Sequence, residues 1–350
     1  MKAVQLTAWG QPPEVRDVPE PVPGPGEVLL QVTGAGLCHS DLHLMHWPAG
    51  TVDYELPFTL GHEVAGTVVE VGKGAAGVQV GESVLVYGPW GCGRCPQCSR
   101  GAEHLCPVRA AGRAAGCGLG RDGGLAEFVV LPSARLSVPI GDLDPVSAAS
   151  LADAGLTTYH AVKRALGDLR PGAAVIVIGV GGLGQVAVQL LRALSGCQIL
   201  AVDRRQEALD TAVRAGADAA LLADGITATE LFEAAGGRRA ELVLDFVGVD
   251  STLELSAACV APGGHLAILG VGGGTLPFRF GVIPFETTVI FSNWGTRGEL
   301  AEVVELARAG VLRLDVEPVR LEDVPAAYER LERGAVRGRV VAVPRWEETR

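Results

Sequence analysis

Short runs of alternating or Val-rich apolar positions, broken by Gly and Pro, dominate residues 1–150. Glu27–Val32, Val64–Val71 and Ser83–Tyr87 predict β-strands separated by glycine turns, and Met1–Trp9 reads as a first strand. From about Pro171 the texture changes. The apolar runs Ala174–Ile178, Ile199–Val202, Ala219–Leu222, Leu242–Phe246, Leu266–Leu269 and Val289–Phe291 alternate with stretches of helical period. The clearest of those stretches are Leu183–Leu194, Gln206–Ala215 and Ser251–Val260. Alternating strand and helix predicts a parallel sheet covered on both faces, an α/β fold. After Phe291 the pattern gives two amphipathic helices, near Glu299–Ala309 and Asp323–Arg333, and a last strand near Val340–Val343.

At 350 residues the chain suits about two domains. Its 48% apolar and 20% charged residues are ordinary globular composition. A net charge of −11 and the absence of any basic block argue against a nucleic-acid partner. Ala173–Leu191 is a long uncharged run, but the glycines within Gly179–Gly184 make it a strand, a turn and a helix rather than a membrane span. The cytoplasm is the expected location. Eight cysteines are too sparse for a disulfide scaffold, and four of them crowd into Cys92–Cys106.

The strand Ala174–Ile178 runs into Gly179-Val180-Gly181-Gly182-Leu183-Gly184, the G-x-G-x-x-G pattern at the head of a helix. Gly179 permits the tight turn, Gly181 lets backbone approach a pyrophosphate, and Gly184 lets helix and strand pack closely. The next strand ends at Asp203, where an acid that binds the adenosine ribose is expected. A carboxylate there repels a 2′-phosphate and favours NAD, while Arg204 and Arg205 soften that preference. Cys92-x-x-Cys95-x-x-Cys98 with Cys106 fits a closed tetrahedral zinc site, which has a structural role because no position is open to substrate.

Two further motifs are Cys38-His39-Ser40-Asp41-Leu42-His43 and Gly61-His62-Glu63. Alone, each is weak: a single Cys is usually a small core residue, and a single His more often bonds a carbonyl than a metal. Together with the glycine loop and the Cys₄ lobe, they resemble the zinc-containing medium-chain alcohol dehydrogenase family from first strand to last. The bacterial secondary-alcohol branch, with its Cys-His-Asp zinc site, looks closest.

The resemblance implies a mostly β, GroES-like catalytic domain at 1–150 with the structural zinc lobe at 88–110. It implies a Rossmann domain that binds NAD at 151–285, a return to the catalytic domain at 286–350, and chemistry in the cleft between the two. It places a catalytic zinc on Cys38, His62 and Asp153. Asp153 stands where the best-known members carry a second Cys, and a carboxylate keeps the charge balance with a harder donor. Asp153 also suits the N-cap of a helix starting near Gly155. Glu63 either stands behind the metal or exchanges onto it.

Ser40 and His43 match the family's proton relay, against the alternatives of a helix cap and an ordinary surface residue. By the same resemblance His39 contacts a cofactor phosphate, Thr157 packs near the nicotinamide, Val271 meets its carboxamide and Arg339 reaches the pyrophosphate. Trp47, Tyr54, Leu119 and Trp294 are candidate walls of a substrate pocket suited to a hydrophobic primary or secondary alcohol. A homotetramer or homodimer is implied as well. The rival readings are a polyol or amino-alcohol dehydrogenase on the same scaffold, a quinone or enoyl reductase without zinc, and a non-catalytic NAD-binding redox sensor.

Overall fold

A computed structural model describes residues 1–110 and 116–345, and the account that follows concerns those residues. The chain forms two compact units, one of Met1–Leu156 with Gly295–Arg350 and one of Thr157–Trp294. These divisions fall later than the boundaries expected at 150 and 285. The second shift has a plain cause: Thr288–Phe291 is a sixth strand of the parallel sheet, hydrogen-bonded to Val260–Ile268, so the sheet outlasts residue 285.

In the first unit, a seven-stranded sheet runs in the order Ser137–Pro139, Ser83–Val86, Glu63–Val71, Val28–Gly36, Arg339–Val343 and Val316–Arg320. Phe128–Leu131 also pairs with Val28–Gly36. A three-stranded sheet of Glu14–Asp17, Lys2–Leu6 and Phe58–Thr59 accompanies it. The late strand Arg339–Val343 lies antiparallel to Val28–Gly36 and parallel to Val316–Arg320. Thus the chain's end is built into the sheet of its beginning. Leu30, Val64, Val68, Leu85, Leu125 and Leu131 are fully buried in this unit.

The second unit is the parallel sheet expected from its alternating pattern. Its strands run in the order Ala219–Leu222, Gln198–Asp203, Ala174–Ile178, Ala240–Asp245, Val260–Ile268 and Thr288–Phe291. The order reverses direction on either side of Ala174–Ile178, which is the doubly wound arrangement with its switch point beside that strand. The helices Gly182–Leu194, Gln206–Ala215 and Asp250–Cys259 end within three residues of the expected ends. Strand Val316–Arg320 and helices His39–His46 and Ala228–Ala234 carried too short or too polar a pattern to stand out. No helix among the described residues is long and apolar enough to cross a membrane.

The glycine loop shows why three of its positions are glycine. Gly179 has φ +84°, a left-handed conformation that side chains rarely adopt. A Cβ on Gly184 would collide with the carbonyl oxygen of Gly179, whereas one on Gly181 meets nothing within 4 Å. Gly179 thus serves the turn and Gly184 the packing, and Gly181 leaves open backbone for a ligand. Ordinarily Gly→Ala inside a helix gains about 1 kcal/mol. For Gly184→Ala we expect the opposite sign, a loss of about 1–3 kcal/mol from overpacking against backbone, read as a lower urea midpoint.

Candidate active site and metal centres

Strand register brings the first two metal-ligand candidates together. Gly36 pairs with Glu63 across the antiparallel strands Val28–Gly36 and Glu63–Val71, so Cys38, two residues past one strand end, meets His62, one residue before the other. The approach needs glycine at 36, because a Cβ there would collide with the Glu63 carboxylate and sit 2.5 Å from Ser150 Oγ. The short helical turn Ala149–Ala152 then delivers Asp153. Its Oδ2 lies 3.7 Å from Cys38 Sγ and 3.6 Å from His62 Nε2.

Cys38, His62, Glu63 and Asp153 are all buried and offer donor atoms within 4.8 Å of one another. Zinc bonds of about 2.3 Å to sulfur and 2.0 Å to nitrogen or oxygen, at tetrahedral angles, separate S from O by about 3.5 Å and N from O by about 3.3 Å. The observed separations fit. So does the charge: burial lowers the His62 pKa, but the Asp41 charge, with Asp153, Asp41 and Cys38 as acceptors for the ring N–H groups, outweighs it and raises the imidazole well above its usual 6.5. An anion-rich cage that pulls so hard on one proton is suited to a divalent cation.

Asp41 was quoted in its motif but given no role in the sequence reading. It is fully buried. Its Oδ1 lies 3.0 Å from His62 Nδ1, which leaves Nε2 as the ligand atom. Its Oδ2 accepts from Cys38 N at 3.0 Å and from the Tyr328 hydroxyl at 2.8 Å. A carboxylate behind a metal-binding His fixes ring orientation and tautomer. The signal was legible: an acid three residues after Cys38, at the third position of helix His39–His46, suits a capping box. Asp41, rather than Ser40, therefore caps that helix, because its carboxylate reaches the Cys38 N–H.

Ser40 is exposed, with its Oγ 3.6 Å from Cys38 Sγ. His43 is half-buried, its pKa lowered by burial and by His46, and its Nδ1 finds no partner among the described residues. No hydrogen bond joins the two. His39 is exposed. Asp153 directs its Oδ2 at Cys38 and His62 from the residue just before the helix Ala154–Leu166. Glu63 is fully buried and ion-paired with Arg339, whose guanidinium also donates to the Leu37 carbonyl at 3.1 Å. Arg339, expected at the cofactor pyrophosphate, is itself only 5% exposed.

The four lobe cysteines also converge. Cys95 Sγ lies 3.5 Å from Cys98 Sγ and 3.9 Å from Cys106 Sγ, against about 3.8 Å for tetrahedral zinc thiolates. All eight cysteines are free thiols. Burial pushes the Cys106 thiol up, but N–H groups of Cys92, Arg109 and Val108 outweigh it and bring it down to about 6, favouring the thiolate that binds metal. A Cβ on Gly91 would collide with Cys98 Sγ, so this turn too is shaped around the thiols.

In the second unit, Asp203 closes onto the glycine loop: its Oδ2 accepts from Val180 N at 2.8 Å and its Oδ1 from Arg205 N at 2.9 Å. Gly182 and Leu183 open the helix Gly182–Leu194, and Leu183 O accepts from Thr158 Oγ1 at 3.4 Å. Thr157 is buried, Arg204 exposed and Val271 50% exposed. Of the candidate pocket walls, Tyr54 and Leu119 pack on the first unit's apolar cluster, as does Trp90. Tyr54 lies against Gly120 and meets Phe58 edge-on with ring centroids 6.1 Å apart. Trp47 is 36% exposed, and Trp294 is buried with a left-handed φ of +56°.

Residues 24–142 match the alcohol dehydrogenase GroES-like domain, and residues 182–309 match the zinc-binding dehydrogenase domain. The chain is 35% identical to an NAD-dependent alcohol dehydrogenase of Sulfurisphaera tokodaii, over 98% of this chain and all of that one. It is 33% identical to a D-arabinose 1-dehydrogenase (NADP(+)) of Saccharolobus solfataricus, over 98% of this chain and 97% of the relative. The fold is similar to the crystal structure of an Aeropyrum pernix alcohol dehydrogenase, with a TM-score of 0.89 and 36% identity, covering 98% of this chain and 100% of that one. The chain belongs to the zinc-containing medium-chain alcohol dehydrogenase family, with a GroES-like and a Rossmann domain.

Removing one partner of a buried ion pair strands the other charge, at about 3–5 kcal/mol. Arg339→Met is therefore expected to lower unfolding stability by about that much, and adding Glu63→Gln should recover most of it. Urea denaturation of the two variants measures both.

Proposed function

We propose that the chain is a zinc-dependent dehydrogenase that reversibly oxidises primary or secondary alcohols to aldehydes or ketones with NAD. The observation that carries this is the placement of Asp153 Oδ2 at 3.7 Å from Cys38 Sγ and 3.6 Å from His62 Nε2, which suits zinc; held by these three residues, the ion would keep a position for substrate. Membership of the family supports it.

In this reading Cys38, His62 and Asp153 hold the catalytic zinc, and the thiolate and carboxylate offset its charge. Bound there, zinc supplies Lewis acidity that eases loss of the alcohol proton. Glu63, held by Arg339, stands behind the site. Ser40 and His43 carry the proton outward, and burial, which lowers the His43 pKa, favours its neutral imidazole. NAD supplies the hydride acceptor, with its pyrophosphate at Gly179, Gly181 and Gly184 and its adenosine ribose at Asp203. Cys92, Cys95, Cys98 and Cys106 hold a second, structural zinc. The half-buried aromatic Tyr54 beside Leu119 favours hydrophobic alcohols. Four clustered free thiols favour a reducing compartment, hence the cytoplasm.

The test follows reduced-cofactor absorbance with NAD and NADP across primary, secondary, benzylic and polyol alcohols and an aldose. Turnover is expected with NAD and hydrophobic alcohols, and none in any zinc-loaded combination would overturn the reading. Native mass spectrometry should find two zincs per chain, falling to one in Asp153→Ala. Retention of both would overturn the ligand assignment.

We further propose a homo-oligomer. Phe278, Phe280, Phe285 and Phe291 are 77%, 85%, 72% and 64% exposed, and they lead into or lie on the edge strand Thr288–Phe291. An apolar patch beside open strand hydrogen bonds is a template for self-pairing, and a second copy of the same edge satisfies both demands. Light scattering should give a dimer or tetramer, and Phe280→Asp with Phe285→Asp should give smaller species. A wild-type monomer at micromolar concentration would overturn this.

A further inference from the structure

Beyond the ligands themselves, a buried chain of hydrogen bonds runs from the C-terminal helix to the metal cage. Tyr328 lies on helix Val324–Glu332 and is 2% exposed, in the same apolar cluster as Leu321, Val324, Ala327 and Leu331. A phenylalanine would fill that volume. The hydroxyl has one purpose visible in the structure: it donates to Asp41 Oδ2 at 2.8 Å. Burial, with the neighbouring Asp41 charge, raises the phenol well above its usual 10, so it stays a donor.

We propose that Tyr328 is a positioning residue for the catalytic zinc, acting through Asp41 to fix both the His62 imidazole and the Cys38 backbone. The proposal rests on Cys38, His62 and Asp153 being the zinc ligands. Its physical basis is the softness of the carboxylate torsion. The last side-chain torsion of an aspartate is broad, so one hydrogen bond does not set its plane. Asp41 Oδ1 serves His62 Nδ1 at 3.0 Å, while Oδ2 is shared by Cys38 N and Tyr328. The two donors on Oδ2 pin that oxygen from the helix N-terminus and from the C-terminal helix. Without the phenol hydroxyl, Oδ2 keeps a single bond, from Cys38 N, and the carboxylate can turn about it, which carries Oδ1 away from its 3.0 Å contact with His62 Nδ1. The imidazole then loses the partner that aims Nε2 at the metal, and partners of this kind tune metal affinity.

The experiment uses the full-length protein and Tyr328→Phe, which deletes one oxygen. Chelator competition is followed separately for the catalytic and structural zincs, and the catalytic zinc is replaced by Co²⁺ for absorption spectra. We expect the catalytic ion to be released on the order of three- to tenfold more readily, with shifted Co²⁺ bands, while release from the cysteine lobe is unchanged. In an Asp41→Ala background, adding Tyr328→Phe should change nothing further. A competition curve and Co²⁺ spectrum identical to wild type would overturn the proposal, as would additive losses in the double variant. Loss of the folded state in Tyr328→Phe, read by circular dichroism, would also count against a role confined to Asp41. Asp153→Ala separates the two levels. If it loses one metal while Tyr328→Phe behaves as wild type, only the role of Tyr328 falls. If it keeps both, the ligand assignment fails and the proposal with it.

Discussion

Buried negative charge is the constraint around which the first unit is organised. Asp41, Glu63 and Asp153 are at most 7% exposed, and the Cys38 thiol lies among them. Charges are taken out of water only where partners compensate them. Each carboxylate here is compensated differently. Asp41 receives hydrogen bonds from Cys38 N and Tyr328, and Glu63 receives the Arg339 guanidinium. Asp153 faces the sulfur and imidazole with which it forms a metal-sized cage. The strand register that pairs Gly36 with Glu63, and the glycine that tolerates it, follow from the need to crowd these groups together.

The two units depend on glycine for different reasons. In the second, Gly179 and Gly184 shape a turn so tight that strand and helix touch backbone to backbone. In the first, Gly36 and Gly91 make room for side chains, a carboxylate in one case and a thiol in the other. The first kind of need produces a compact motif. The second leaves single glycines scattered along the chain, with nothing in their immediate neighbours to mark them.

That difference explains what could be read from residues alone. The parallel sheet was legible because each strand and helix carries its own period, and the loop that joins the first pair has a fixed spacing. The Cys₄ lobe was legible because its ligands are close in sequence. The Cys38, His62 and Asp153 group was legible only through resemblance, since its members are far apart and individually ordinary. The capping position of Asp41 was legible locally, but its place behind the metal cage was not, because that depends on His62 and Tyr328, which no local pattern connects to it. The pairing of Arg339 with Glu63 was not legible beside its expected phosphate contact, because that acid's need for a counter-charge appears only once Glu63 is seen to be buried. The last strand of the parallel sheet was read near Val289–Phe291, but the domain boundary was set at 285, before it, because the exposed segment Phe278–Phe285 interrupts the alternation there.

Synthesis of the chain proceeds in one direction, and the cage does not respect that order. Cys38, His62, Glu63 and Asp153 are made before the second unit, whereas Tyr328 and Arg339 follow it. During that interval a nascent first unit carries the acids without the hydroxyl and guanidinium that complete their surroundings, and the Val28–Gly36 strand lacks its neighbour Arg339–Val343. The surroundings of the cage are therefore complete only once residues that follow the second unit have joined the sheet of the first.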